Sequence, residues 1–389
     1  MKHIPLLILL ILLSAPATLA QEKKGVGGKA KALFSGETTI GTYTFKDGSV
    51  YTGEIRRRKP NGKGKTVYIN GDTYEGEYVK AKREGYGVHT FKNGERYEGQ
   101  WYQDQQHGRG TYYFDSNNRY EGLWYQNQRH GRGTMYYHTG DRYEGDWVHN
   151  KREGEGTYTW KNGTAYEGQW AGDKKEGEGT FTWNDGNRYA GHWKSDARHG
   201  EGTFEYVNGD KYTGGWANDV QEGQGTYWFH TGDRYEGSYT GGQRTGHGIY
   251  YYANGDRYEG EFSNGQQNGK GTFAYANGAV YTGEWVDNQR SGHGVYRWNV
   301  GDSYEGEWRD NKFNGQGTLK QVDGTTYTGS FVNGLEDGPG VQTDPNGHRH
   351  EGTFKQGKKH GPFVEYDAEG KVVREVTYSM GILRNEEKK

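Results

Sequence analysis

No cysteine occurs anywhere in the 389 residues. A disulfide framework is therefore excluded, as is lipid attachment at an N-terminal cysteine. Proline is scarce, six in all, and none falls between Pro60 and Pro339. A long middle stretch is thus free of the residue that interrupts β-ladder hydrogen bonding. Net charge is only −2, which gives no global attraction to nucleic acid or acidic membranes. Long apolar runs are missing too: Ile4 to Leu13 is the longest, and it is too short to span a bilayer. Low hydrophobicity with 68 glycines would ordinarily indicate disorder, but 12 Trp, 34 Tyr and 13 Phe argue for a packed structure.

The N-terminal run has the marks of a secretory signal peptide. Lys2 and His3 precede the apolar stretch, and "SAPATLA" supplies small residues before Gln21. The expectation is a signal peptide over 1–20, a basic flexible leader over 21–40, and export to the periplasm or extracellular space.

What is abundant is periodic. Tyr51, Tyr74, Tyr97 and so on to Tyr327, with His350 closing the series, recur every 23 residues without insertion or deletion. Gly follows this position by two residues in all fourteen copies and by eleven in all fourteen. It follows by thirteen in all but one (Phe363) and by twenty in all but one (Asn117). Gly99, Gly108, Gly110, Gly122, Gly131, Gly133, Gly145, Gly154 and Gly156 are members of these columns, a structural punctuation rather than flexible filler.

The aromatics are phased as well. Tyr97, Tyr120, Tyr143, Tyr166, Tyr189 and Tyr212 belong to the opening column, and four residues on stand Trp101, Trp124, Trp147, Trp170, Trp193 and Trp216. Further columns lie fifteen and seventeen residues on, the latter including Trp160, Trp183 and Trp298.

Within "YEGDW" and "GEGTYTW" apolar and polar positions alternate, the period of a strand. "VHNKRE" between them reads as a loop, and Asn-Gly or Asp-Gly between repeats reads as a hairpin turn. A two-residue turn there would split the aromatic columns between the two faces. A three-residue turn with Gly in a left-handed bulge gathers all four on one face, and Asn117 tolerates that conformation. The bulged register is the expectation, with Arg142, Glu144 and Thr157 on the opposite, polar face and their charges paired across strands. A lone hairpin is marginal, so each repeat must lean on its neighbours. The fold class is all-β: an elongated single-layer antiparallel array of hairpins, twisted or curled. A half repeat at 41–50 opens it, full repeats run from Tyr51 to about 372, and 373–389 forms a C-terminal cap or tail.

"YEGDWVHNKREGEGTYTWKNG" resembles the membrane occupation and recognition nexus (MORN) repeat, and the likeness extends over about 41–370. The last unit, with Pro362 and Phe363, is similar to a variant of the repeat common in bacterial proteins. The resemblance implies an open sheet with an aromatic groove that receives partner proteins or segments. It further implies, for some members, contact with acidic phospholipids.

Catalysis needs unlike residues gathered at one place, whereas this chain spreads like residues along a line. No catalytic residue, metal ligand or cofactor is expected. Glu84, His107, His130, Glu153, Glu176, His199 and Glu222 form a His/Glu series, but its members recur about 10 Å apart, too far for one metal ion. Arg83, Arg129, Arg152, Lys175, Arg198, Arg244 and Arg290 form a basic loop ladder that could grip acidic lipid or another polyanion. Asn162 opens a glycosylation sequon, relevant in a eukaryotic source. The leading expectation is a non-enzymatic exported module or scaffold that binds protein partners, or a second copy of itself, along the aromatic face. Polyanion binding by the ladder is the alternative, glycan binding on the rings a lesser one, and sequence-specific nucleic-acid binding is not expected.

Overall fold

A computed structural model describes residues 36–388; the expected signal peptide and residues 21–35 of the expected leader lie outside them. The described residues hold 31 β-strands and no helix. They fall into two compact units. One comprises the residues up to Asp115 with Trp124–Asn127; the other comprises Ser116–Leu123 and the chain from Gln128 on. In the first unit each strand from Thr39–Thr44 to Gln105–Tyr113 pairs antiparallel with the next. In the second the same meander runs from Gln128–Tyr136 to Ile382–Lys388.

One repeat explains the rest. A seven-residue strand, Arg142–Val148, turns into a nine-residue strand, Lys151–Thr159. The turn is two residues, His149 and Asn150, with φ of 48° and 70°. Positive φ at both central residues is the type I′ hairpin that matches strand twist. This corrects the six-residue loop expected of "VHNKRE": most of that stretch is strand.

The extra length of the second strand is absorbed in a bulge. Gly145 pairs with Gly156, but Trp147 pairs with Arg152, so Asp146 faces three residues, Glu153 to Glu155. Two surplus residues restore the side-chain alternation, which leaves Arg152 on the same face as Trp147.

Repeats are joined as the parity argument requires. Trp160 donates its N–H to the Thr164 carbonyl, and Gly163, at φ 90°, donates to the Trp160 carbonyl. Three residues, Lys161 to Gly163, make the turn, and Tyr158 lies opposite Tyr166. Asn117 holds the same place at φ 60°. All four aromatic columns therefore share one face.

The polar face carries ion pairs that run mainly along one strand, at positions two apart, rather than across strands. Arg142 pairs with Glu144, Arg234 with Glu236 at 3.2 Å and Arg257 with Glu259 at 2.6 Å. Arg188 to Glu205, at 3.3 Å, is a cross-strand case. The residues flanking Tyr on either side point the same way, which places such partners beside each other.

Past Tyr327, the last Tyr of the opening column, the columns change partners. His350 stands in the Tyr column and Phe363 in a Gly column. The Phe363 ring fills the space above Gly352, where a methyl group would meet it at 2.6 Å. Beyond it Val372–Ser379 and Ile382–Lys388 extend the meander as two further strands.

Candidate functional site

The aromatic face is built from the glycines upward. Gly145 and Gly156 are cross-strand partners with no side chain, and the Tyr143 ring occupies the space this leaves. Its hydroxyl donates to the Asp146 carbonyl at 3.2 Å. The same bond recurs at Tyr97, Tyr120, Tyr166, Tyr189 and Tyr212. The Tyr column is almost wholly buried, and burial raises its phenols, Tyr51 and Tyr235 to about 12.

Trp170 stands edge-on between two tyrosines, 5.1 Å from Tyr166 and 5.3 Å from Tyr143. Its indole N–H donates to the Gly156 carbonyl of the preceding repeat at 3.0 Å. Trp101, Trp124, Trp147, Trp193 and Trp216 repeat that bond. These two columns are a core, sealed by ring contact and hydrogen bonding between neighbours.

The basic series belongs to this face and not to a loop. The Arg152 guanidinium stacks 4.2 Å from the Trp170 ring, donates to the Asp173 carbonyl at 2.7 Å, and pairs with the Asp173 carboxylate at 3.2 Å. Arg83 over Trp101, Arg198 over Trp216, Arg129 over Trp147 and Arg290 over Trp308 make the same stack. Each also donates to a carbonyl in the following two-residue turn: Asp104, Asp219, Asn150 and Asn311 respectively. The Lys175 ammonium lies 4.2 Å from Trp193, and burial pushes its pKa down. Arg244 sits 5.4 Å from Tyr250. The ladder is thus stapled to the rings by cation–π contact, and at Arg83, Arg129, Arg152, Arg198 and Arg290 the hydrogen-bonding fork is turned to the chain itself.

The His/Glu series serves the next turn. Glu84, Glu153, Glu176 and Glu222 accept N–H groups of Gln103, Gly172, Ser195 and Gly241 at 2.9–3.0 Å. His107 packs 5.4 Å from Tyr125, and His130 lies 5.7 Å from His149. No group of three His, Asp or Glu able to hold a metal is present among the described residues.

What remains accessible is the rim. Trp160, Trp183, Tyr206, Phe229, Tyr252, Tyr275 and Trp298 are half-buried, unlike the Tyr143 and Trp147 columns; Tyr158, Tyr227, Tyr250, Phe273 and Tyr296 in the intervening column are half-buried too. Each contacts the column ring two residues earlier at 4.3–4.7 Å. The row ends at Trp298, beside a hollow of about 300 Å³ lined by Arg290, Tyr296, Trp298, Trp308, Lys312 and Phe313. Sequence reasoning grouped these rings with the core. Their place, immediately before each three-residue turn, was the signal that they stand at the strand ends.

The MORN repeat model matches residues 40–50, then consecutive 23-residue stretches from 51–73 to 327–349, and finally 350–362. No curated protein matches the chain. Among solved structures it is similar to the CPAP G-box domain, at 15% identity over 52% of this chain and 100% of that one, with a TM-score of 0.29. It is similar also to the TCP domain of SAS-4 (dCPAP) of Drosophila melanogaster, at 16% identity over 40% and 85%, TM-score 0.26. Virginiamycin B lyase from Staphylococcus aureus gives 10% identity over 79% and 97%, TM-score 0.13. At these scores the likenesses carry no functional argument.

Proposed function

The chain belongs to the MORN repeat family, a repeat-based binding or scaffold module, and from that premise we propose a non-catalytic, exported module that engages protein partners along its aromatic rim. The carrying observation is the contrast between sealed and half-buried columns on one face. Tyr and Trp of the first two columns are consumed by packing, while Trp160, Trp183 and their successors keep ring surface in contact with solvent. A continuous row of such rings is the kind of exposed apolar surface that marks a contact site. The basic ladder supports the reading by holding the rings in place, and its engagement with Asp173, Asp219 and Asn311 weakens its case as a phosphate grip.

The test compares captures from the native source by the processed protein and by a variant with Trp160, Trp183 and Trp298 changed to Ala. A partner retained by the first and lost by the second supports the proposal. Identical retained proteins in both sink it. Secretion is checked separately, by N-terminal sequencing of the protein recovered outside the cytoplasm.

A further inference from the structure

We propose that the rim segment Trp160–Trp183–Tyr206 is a track for a proline-rich segment in the polyproline II conformation. This deepens the reading of the rim as a binding surface and rests on it.

The first argument is spacing. From Trp160 the rings step 5.3 Å to Phe181 and 4.4 Å to Trp183, so Trp183 lies no farther than 9.7 Å from Trp160. Steps of 5.2 and 4.3 Å likewise place Tyr206 within 9.5 Å of Trp183. Two strand separations, about 9.6 Å, agree with these limits. A polyproline II helix repeats its face every three residues, or about 9.3 Å. It can seat an equivalent residue on each ring in succession. An α-helix returns to the same face after seven residues, about 10.5 Å, which exceeds both limits and drifts further with each repeat. An extended strand repeats every two residues, about 6.8 Å, and falls out of phase at once.

The second argument is hydrogen bonding. The row lies on the face of a sheet whose backbone groups are already paired strand to strand. An occupant laid along it can add no ladder, so any backbone N–H it buries there is left without a partner. Proline has no N–H to leave unpaired, and its ring packs well on aromatic surfaces. An α-helix would satisfy its own backbone but fails on spacing. A strand fails on both counts.

The experiment titrates the full processed chain with an oligoproline of four turns, about twelve residues. In parallel it uses an amphipathic helical peptide with Leu at heptad spacing. The expected result is saturable oligoproline binding, with indole N–H resonances of Trp160 and Trp183 shifting while those of buried Trp147 and Trp170 stay. A Trp160→Ala, Trp183→Ala variant should weaken it about tenfold, as removal of two interface anchors does. The resonance readout on the unaltered protein keeps the test decisive if that variant folds poorly. No oligoproline binding, or binding that leaves the two indoles unmoved, overturns the proposal. Binding of the helical peptide through the same indoles, without oligoproline binding, overturns it while leaving the rim as the contact surface. Failure of the broader reading is distinguished by the capture comparison, in which no partner depends on the rim.

Discussion

The Tyr143 hydroxyl lies so close over Gly156 on the neighbouring strand that a methyl group added to that glycine would sit 2.3 Å from it. Gly156 has an ordinary backbone conformation, so its identity is fixed by this overlap and not by a special φ. Gly156→Ala should destabilise the protein by about 1–3 kcal/mol, the cost of forcing extra volume into a packed core. Gly163 is the contrasting case, since its φ is 90° and nothing lies within 4 Å of an added methyl. Gly163→Ala should cost about 1 kcal/mol through backbone strain alone, and Gly163→Asn less, as Asn117 already shows. Denaturant melts of the three variants, ranked in that order, check the assignment; equal losses at both glycines would contradict it.

His350 and Phe363 are expected to be energetically coupled. The Phe363 ring takes the space that Tyr rings fill in earlier repeats. His350→Tyr alone should overpack the site, and Phe363→Gly alone should leave a cavity and cost about 3–5 kcal/mol. The double variant restores the arrangement of the preceding repeats and should be less destabilised than the sum of its parts. A thermodynamic cycle measures this coupling, and strict additivity would show the two positions to be independent.

Asp173 ties one turn to the previous repeat. Its carboxylate accepts the Arg152 backbone N–H at 2.9 Å, a role that Asn150 plays toward Arg129 and Asn311 toward Arg290. Asp173→Ala should cost about 1–2 kcal/mol from the unpaired N–H and the strained φ of 74°. Asp173→Asn should be nearly neutral, because a single oxygen suffices. Hydrogen exchange at the Arg152 amide gives the direct readout. Equal protection in wild type and the Ala variant would exclude the bond.

Alkaline pH should unfold the array. Burial raises the Tyr51 and Tyr235 phenols to about 12 and others in the column further. Because the folded values exceed the unfolded value of about 10, this contribution is complete below pH 10. It is lost as pH rises through 12. Phenolate absorbance and circular dichroism should change together in that range.

Much of the architecture was legible because its determinants are local. The Asn162-Gly163 turn and the two-residue alternation on either side are enough to bring Tyr158 opposite Tyr166. The position of Arg152 was not legible in the same way. Its face depends on a bulge that inserts two residues opposite Asp146, and the stretch "VHNKRE" reads equally well as a polar loop. Nor does the Trp160 column announce its exposure, since its composition differs little from that of the sealed rings.

The sequence by itself determined the repeat, the register between successive repeats and the common face of the rings, because those follow from turn chemistry and from side-chain alternation within a few residues. Only the tertiary structure decided which rings are sealed and which remain at the rim, and that the basic series stacks on tryptophan. Burial at any position is set by side chains from the adjoining repeat, about one period away in the chain, and such contacts exist only once neighbouring hairpins have paired.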